Sequence, residues 1–87
     1  DYSAEELTEI FKRNLRKSRY KIKRDAFEKL QSVIERAVDS RDKNFGNARY
    51  VRNLFEKVVQ NQANRLARME SIENDELSII TRDDIEF

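Results

Sequence analysis

The chain has one glycine, Gly46, and places an arginine, Arg49, three residues after it in the stretch GNAR. The apolar pattern that follows predicts a long helix beginning near Asn47, so that Arg49 lies in its first turn. The N-terminus of a helix carries partial positive charge, and a cation there costs roughly a few tenths of a kcal/mol. The position of Arg49 therefore indicates a role that outweighs this penalty.

A second set of basic residues could also bind a partner. The run KRNLRKSRYKIKR, residues 12–24, has eight lysines and arginines and no acidic residue. It could neutralise nucleic-acid phosphates, because small three-helix domains are common DNA-binding scaffolds, or it could contact an acidic protein surface. A solvated helix face is the simplest interpretation, and the acidic stretch at residues 70–86 could offset the charge. The residues alone leave these alternatives open.

The side chains that are missing exclude several kinds of site. Without cysteine or histidine, the chain has no disulfide, thiolate nucleophile, imidazole base or usual zinc ligand. One glycine is too few for a loop that cradles phosphates, and the motif G-x-x-x-x-G-K-[ST] does not occur. Residues 81–84 resemble a calcium-binding loop only superficially, because its glycine and final glutamate are lacking. We expect no metal site.

Three helices are predicted from apolar spacing, near residues 3–19, 24–41 and 47–69. Ser3 and Glu6 have the spacing of a capping box at the start of the first helix. Asn47 is a suitable N-cap for the third helix, and Gly46 permits a sharp turn of the chain into it. The expected core consists of the periodic apolar residues: Leu7, Ile10, Phe11, Leu15, Phe27, Leu30, Ile34, Ala37, Val38, Val51, Leu54, Phe55, Val58, Val59 and Leu66.

The remaining segments are expected to complete the bundle. The link YKIK, residues 20–23, is predicted to pack on the core through Tyr20 and Ile22. The stretch LSIITRDDIEF, residues 77–87, predicts a short strand-like segment and then a final helical turn capped by Thr81, with Ile85 and Phe87 packed on the bundle. The fold class is thus all-α: a small three-helix bundle with a short C-terminal strand-like segment and final turn.

Two groups of polar residues receive only structural interpretations. Asp83 and Asp84 suit the N-terminal dipole of the final turn. The amides of QNQANR could bind the backbone of a neighbour, but we expect them to form a polar helix face and assign them no role: Gln60, Asn61, Gln62 and Asn64.

Length and composition limit the chain to one small domain of 87 residues. Charged residues make up 40% and apolar residues 38%, which is enough apolar content for a core. The net charge of +1 argues for neither nucleic acid nor membrane. No apolar run has the length of a membrane span and no signal peptide is recognisable, so a soluble, cytoplasmic location is expected. Because the sequence does not begin with methionine, we expect it to be part of a longer protein.

Two stretches resemble a known family. FGNARYVRNLFEKVVQNQANRL, residues 45–66, and LSIITRDDIEF resemble the C-terminal helical lid of AAA+ ATPases of the CbbX/CfqX-like family, which includes red-type Rubisco activases and stage V sporulation protein K. DYSAEELTEIFKRNLRKSRYKI, residues 1–22, is similar to the first lid helix of that family. The resemblance covers essentially the whole chain, so residues 1–87 are interpreted as a single lid domain.

The resemblance implies a nucleotide-sensing role. Matching GNAR to the sensor-2 motif makes Arg49 the nucleotide-binding candidate, with Gly46 and Asn47 setting its direction and Arg52 a weaker candidate. ATP and Mg²⁺ would bind to the full-length protein, and the partners would be its AAA+ core domain and the neighbouring subunits of a homo-oligomeric ring. Lacking Walker A, Walker B and an arginine finger, the chain alone should not hydrolyse ATP. The alternative function is a basic helical module that binds nucleic acid or protein.

Overall fold

The computed structural model describes residues 2–40 and 47–87, apart from the side chain of residue 47. Three helices form the bundle: α1 (Ala4–Lys17), α2 (Arg24–Ser40) and α3 (Asn47–Ala67). Two short strands, β1 (Lys21–Ile22) and β2 (Ile79–Ile80), and two 3-10 helices, Asn74–Ser78 and Arg82–Asp84, complete the described elements. The predicted all-α bundle with a strand-like segment and a final turn is confirmed, and the helix boundaries differ by at most two residues.

The start of α1 has the predicted capping box. Glu6 donates its backbone N–H to the Ser3 hydroxyl at 3.1 Å, and its carboxylate accepts the Ser3 backbone N–H at 2.9 Å. The hydrogen bond from the Ser3 backbone, and secondarily that from its side chain, lower the pKa of the Glu6 carboxyl. The stabilisation linked to this shift is present above the ordinary pKa and is lost as the pH falls through the lowered pKa.

We expect Ser3→Ala to destabilise the domain by about 1 kcal/mol, because the Glu6 N–H at the start of α1 loses its acceptor, the Ser3 hydroxyl. Urea unfolding near neutral pH measures the loss. Ser18→Ala is the matched control, since Ser18 is the C-cap residue that follows α1 and its side chain has no hydrogen bond among the described residues. An equal loss in both variants would show that the capping box contributes nothing specific.

The two short strands join the α1–α2 link to the C-terminal segment. β1 and β2 pair in parallel, with Lys21 opposite Ile79 and Ile22 opposite Ile80, and the Lys23 N–H donates to the Ile80 carbonyl at 3.0 Å. The strand-like character of residues 79–80 was predicted from sequence, but their partner was not. The pairing is long-range and gives no local signal.

The core is arranged around α1, which packs against both α2 and α3. The second 3-10 helix lies between α2 and α3 and contacts both. Ile80 and Ile85 from the C-terminal segment therefore belong to the central cluster together with the buried residues of the helices: Leu7, Phe11, Leu15, Ala26, Leu30, Ile34, Val51, Leu54 and Val58.

Three aromatic residues are less buried than the sequence analysis predicts. Phe27 and Phe55 are only half-buried against the cluster, and among the described residues the fully buried aromatic side chain is Phe11. Phe87, expected on the bundle, is 61% exposed, whereas Ile85 is buried as predicted. A periodic pattern identifies the inward face of a helix, but it does not say how far a ring at the edge of that face is covered.

Candidate functional site

Arg49 lies in the first turn of α3 and its side chain is exposed. Arg52 follows one turn later and is exposed as well. Between them on the helix, Val51 is completely buried and Leu54 follows on the same inward face. Neither arginine has a hydrogen-bond or ion-pair partner among the described residues. The structure therefore brings the two predicted arginines to one solvent-facing side of α3.

The charge at the start of α3 differs from that of the other two helices. The first turn of α1 contains Glu5 and Glu6, as the helix dipole favours, and that of α2 contains Asp25 beside Arg24. The first turn of α3 contains no acidic residue and has Arg49 instead. The unfavourable placement inferred from sequence is thus present in the fold.

The positioning roles assigned to Gly46 and to the Asn47 side chain fall outside the described residues. α3 begins at Asn47, of which the structure describes the backbone.

The middle of α3 is fixed to the bundle by aromatic and aliphatic packing. The Phe55 ring meets the Phe11 ring edge to face at 5.6 Å between centroids, and it meets the Tyr20 ring at 6.3 Å. Val51 and Val58 are fully buried on the same helix. Edge-to-face pairs of this kind add to the stabilisation from area burial, so α3 is held by the link after α1 as well as by α1 itself.

Gln62 hydrogen-bonds α3 to the C-terminal segment. The interpretation of the amides at residues 60–64 as a polar helix face was therefore wrong for this residue. Its side chain is 3% exposed, and its amide donates to the Leu77 carbonyl at 2.9 Å, with longer contacts of 3.4 Å to the carbonyls of Glu76 and Ile79. Asn61 donates to the carbonyls of Asp84 and Glu86 at 3.0 and 2.7 Å.

The other two amides, Gln60 and Asn64, do lie on the surface and bond to each other at 3.0 Å.

Replacing Gln62 by methionine should cost about 1–3 kcal/mol, because the side chain keeps its length but the carbonyls it satisfies lose their donor. Gln60→Met, two residues earlier on the exposed face, is the control and should change stability by less than about 0.5 kcal/mol. Urea unfolding of the two variants measures the difference. Equal stabilities would mean that water replaces the Gln62 amide at no cost.

An ion pair completes this link. Arg65 donates from Nε to Asp84 Oδ1 at 2.9 Å, and a terminal guanidinium nitrogen lies 3.3 Å from Oδ2 and 3.2 Å from the Ile79 carbonyl. Asp84 also accepts the Thr81 N–H at 2.9 Å. Thr81 stands at the predicted cap position, directly before the final 3-10 helix. The hydrogen bond, however, runs from the Thr81 N–H to the Asp84 carboxylate.

Within residues 2–40 and 47–87, no group of three or more carboxylates is arranged to hold a metal ion. In the same part of the chain, no helix combines the length and the apolar character that crossing a bilayer requires.

Comparison with known proteins gives one family. The family model described as AAA lid domain matches residues 3–87, nearly the whole chain. A comparison with curated proteins gives no match.

Proposed function

The chain belongs to the AAA lid domain family, and we propose that it closes over ATP bound in an AAA+ ATPase, with Arg49 as the sensor-2 arginine. An AAA lid domain associates with an AAA+ core domain of the same chain. The finer assignment that we propose is the CbbX/CfqX-like family, supported by the GNAR stretch and by LSIITRDDIEF near the end of the chain.

The observation that carries this proposal is the exposed arginine in the first turn of α3. The other two helices have carboxylates in that turn, and α3 has none. A partner with strong negative charge would turn the unfavourable placement of Arg49 into a favourable one, because the helix N-terminus and the guanidinium would both attract it.

The chemistry of Arg49 fits a terminal phosphate of ATP. Its guanidinium is planar and permanently charged, and it has donors in a fork that matches two phosphate oxygens. ATP would supply the negative phosphate oxygens, and the core domain would hold the rest of the nucleotide and its Mg²⁺. Arg52, exposed one turn later, is the weaker candidate for the same contact.

The packing of α3 supports a coupling role. Because Phe55 contacts Phe11 and Tyr20, and Gln62 bonds to the C-terminal segment, a force on Arg49 would act on the whole domain. We propose that closure of the lid on ATP is passed in this way to neighbouring subunits of a homo-oligomeric ring. This lid domain, which has no Walker motifs, would sense the nucleotide and couple its state to neighbouring subunits, and ATP hydrolysis would be carried out by the full-length protein.

Steady-state ATP hydrolysis by the full-length protein tests the proposal. Arg49→Ala should lower turnover, and Arg52→Ala should have a smaller effect. Normal turnover in both variants would contradict the sensor role.

A further inference from the structure

Seven exposed cations at the junction of α1 and α2 form a surface that the proposed function does not use. We call them the basic surface: Arg13, Arg16, Lys17, Arg19, Lys21, Lys23 and Arg24. None of the seven forms an ion pair within residues 2–40 and 47–87. Lys12, the remaining cation of the run, is engaged, because its Nζ lies 3.5 Å from the Glu9 carboxylate and 5.4 Å from the centre of the Phe27 ring.

The acidic C-terminal stretch does not neutralise the basic surface by direct contact. β2 lies beside β1, with Ile79 opposite Lys21, so the two segments are neighbours. Yet the buried carboxylate of this stretch, Asp84, pairs with Arg65, and no described carboxylate of residues 70–86 lies within ion-pair distance of the basic surface. The positive charge therefore remains available to a partner.

The backbone conformation of Arg19 is a second, independent indication that the positive charge of this surface has a role beyond folding. It has a φ of 62°, and it is the one non-glycine residue with positive φ in the described part of the chain. The Tyr20 N–H donates to the Leu15 carbonyl at 2.8 Å and the Arg19 N–H to the Arg16 carbonyl at 3.1 Å, which is a Schellman motif with arginine at the left-handed position. Backbone sterics favour glycine at this position. Folding therefore does not account for arginine there.

The basic surface is short and bordered by carboxylates. On α1, Glu5 and Glu9 precede Arg13 on the same exposed face, since these residues are spaced four apart. On the other side, Asp75 and Glu76 lie in the 3-10 helix that leads into β2. The α1 portion, from Arg13 to Lys17, spans only about 6 Å of helix. A long polyanion that crossed this surface would run onto the bordering carboxylates.

We infer that the basic surface docks a short acidic protein segment with three or more closely spaced carboxylates. Such a segment places its charges within the positive region and stops before the borders, so attraction is gained without repulsion. A nucleic-acid duplex presents regularly spaced phosphates far beyond the surface, and those phosphates would face Glu5 and Glu9 or Asp75 and Glu76.

The test uses the 87-residue chain and three fluorescein-labelled probes: hexaglutamate, a peptide of twelve glutamates, and a duplex DNA of about 20 base pairs. Fluorescence anisotropy at about 50 and 150 mM salt measures the affinities. The test variant is Arg13→Gln/Arg16→Gln/Lys17→Gln. The control is Arg36→Gln/Arg68→Gln/Lys57→Gln, which removes the same charge at exposed positions outside the basic surface. Thermal unfolding verifies that both variants fold.

We expect hexaglutamate to bind about ten-fold or more weakly to the test variant and within about two-fold of normal to the control. The longer peptide should gain little affinity over hexaglutamate. Equal weakening in both variants would overturn the proposal, because the interaction would then follow net charge alone. Duplex DNA binding through the same residues at about 150 mM salt, more than about ten-fold tighter than hexaglutamate, would replace it with nucleic-acid recognition.

Arg19→Gly separates binding from folding. The melting temperature should stay the same or rise, because glycine favours the left-handed position. Hexaglutamate affinity should nevertheless fall about two- to five-fold with the loss of one exposed charge. Unchanged affinity would exclude Arg19 from the binding surface and overturn the argument from its backbone conformation.

Discussion

Arg49→Ala in the full-length protein should lower the rate of ATP hydrolysis roughly 30- to 1,000-fold, which corresponds to a loss of about 2–4 kcal/mol of transition-state stabilisation. The physical reason is the loss of a charge-assisted donor from the charge that develops during phosphoryl transfer. The stability of the domain should remain nearly unchanged, because the Arg49 side chain is exposed. Steady-state hydrolysis and thermal unfolding together measure the two effects.

Two further substitutions sharpen this test. Arg49→Lys should restore little activity, because an ammonium is a point charge and cannot reproduce the planar fork of donors. Arg52→Ala controls for loss of positive charge from the same exposed side of α3. If Arg52→Ala abolished turnover and Arg49→Ala retained it, the sensor would be one helical turn further along. Failure of the basic surface to bind acidic peptides would leave this result untouched, since the two sets of residues do not overlap.

Much of the fold follows from local pattern. The apolar residues of each helix recur at intervals that only a helix brings to one side, and Ser3 with Glu6 marks the start of α1. Helix boundaries therefore agree closely with the sequence prediction. The expectation for Phe87 was wrong, because its side chain is 61% exposed, whereas Ile85, two residues earlier, is buried.

The C-terminal segment shows where sequence reasoning needed more than residue type. Gln62 was interpreted as part of a polar face because its neighbours Gln60, Asn61 and Asn64 are amides. Its spacing contained the contrary signal: Val58, Gln62 and Leu66 are four residues apart and lie on one helix stripe, and all three are buried. A polar residue on an apolar stripe needs a buried hydrogen-bond partner, and the carbonyls near β2 provide it.

For the candidate site, sequence reasoning identified Arg49 by position and by family resemblance, and the structure confirms its exposure on the first turn of α3. The pairing of Arg65 with Asp84 could not be predicted. The two residues lie 19 positions apart, and nothing in the local sequence of either one specifies the other. Only the placement of the final 3-10 helix between α2 and α3 brings them together.

The Arg65–Asp84 ion pair should make a large contribution to the free energy of unfolding. Asp84 is 1% exposed and the Arg65 side chain 23% exposed, so removing the arginine leaves a carboxylate that water does not reach. We expect Arg65→Ala to destabilise the domain by about 3–5 kcal/mol, the range for a buried pair that loses one partner. Urea unfolding measures the loss. Arg68→Ala, three residues later and exposed, should change stability by less than about 0.5 kcal/mol.

A double variant distinguishes the two possible sources of that loss. If the cost is the unpaired buried charge, Arg65→Met combined with Asp84→Leu should be more stable than Arg65→Ala, because no ionised group remains in the interior. Recovery should be incomplete, since the Thr81 N–H also loses its acceptor in Asp84. If instead Arg65→Ala lost less than about 1 kcal/mol, the hydrogen bonds from the Thr81 N–H at 2.9 Å and the Thr81 hydroxyl at 3.3 Å would be enough to stabilise the buried carboxylate. The C-terminal segment would then be held to α3 by Gln62, Asn61 and the packing of Ile80 and Ile85.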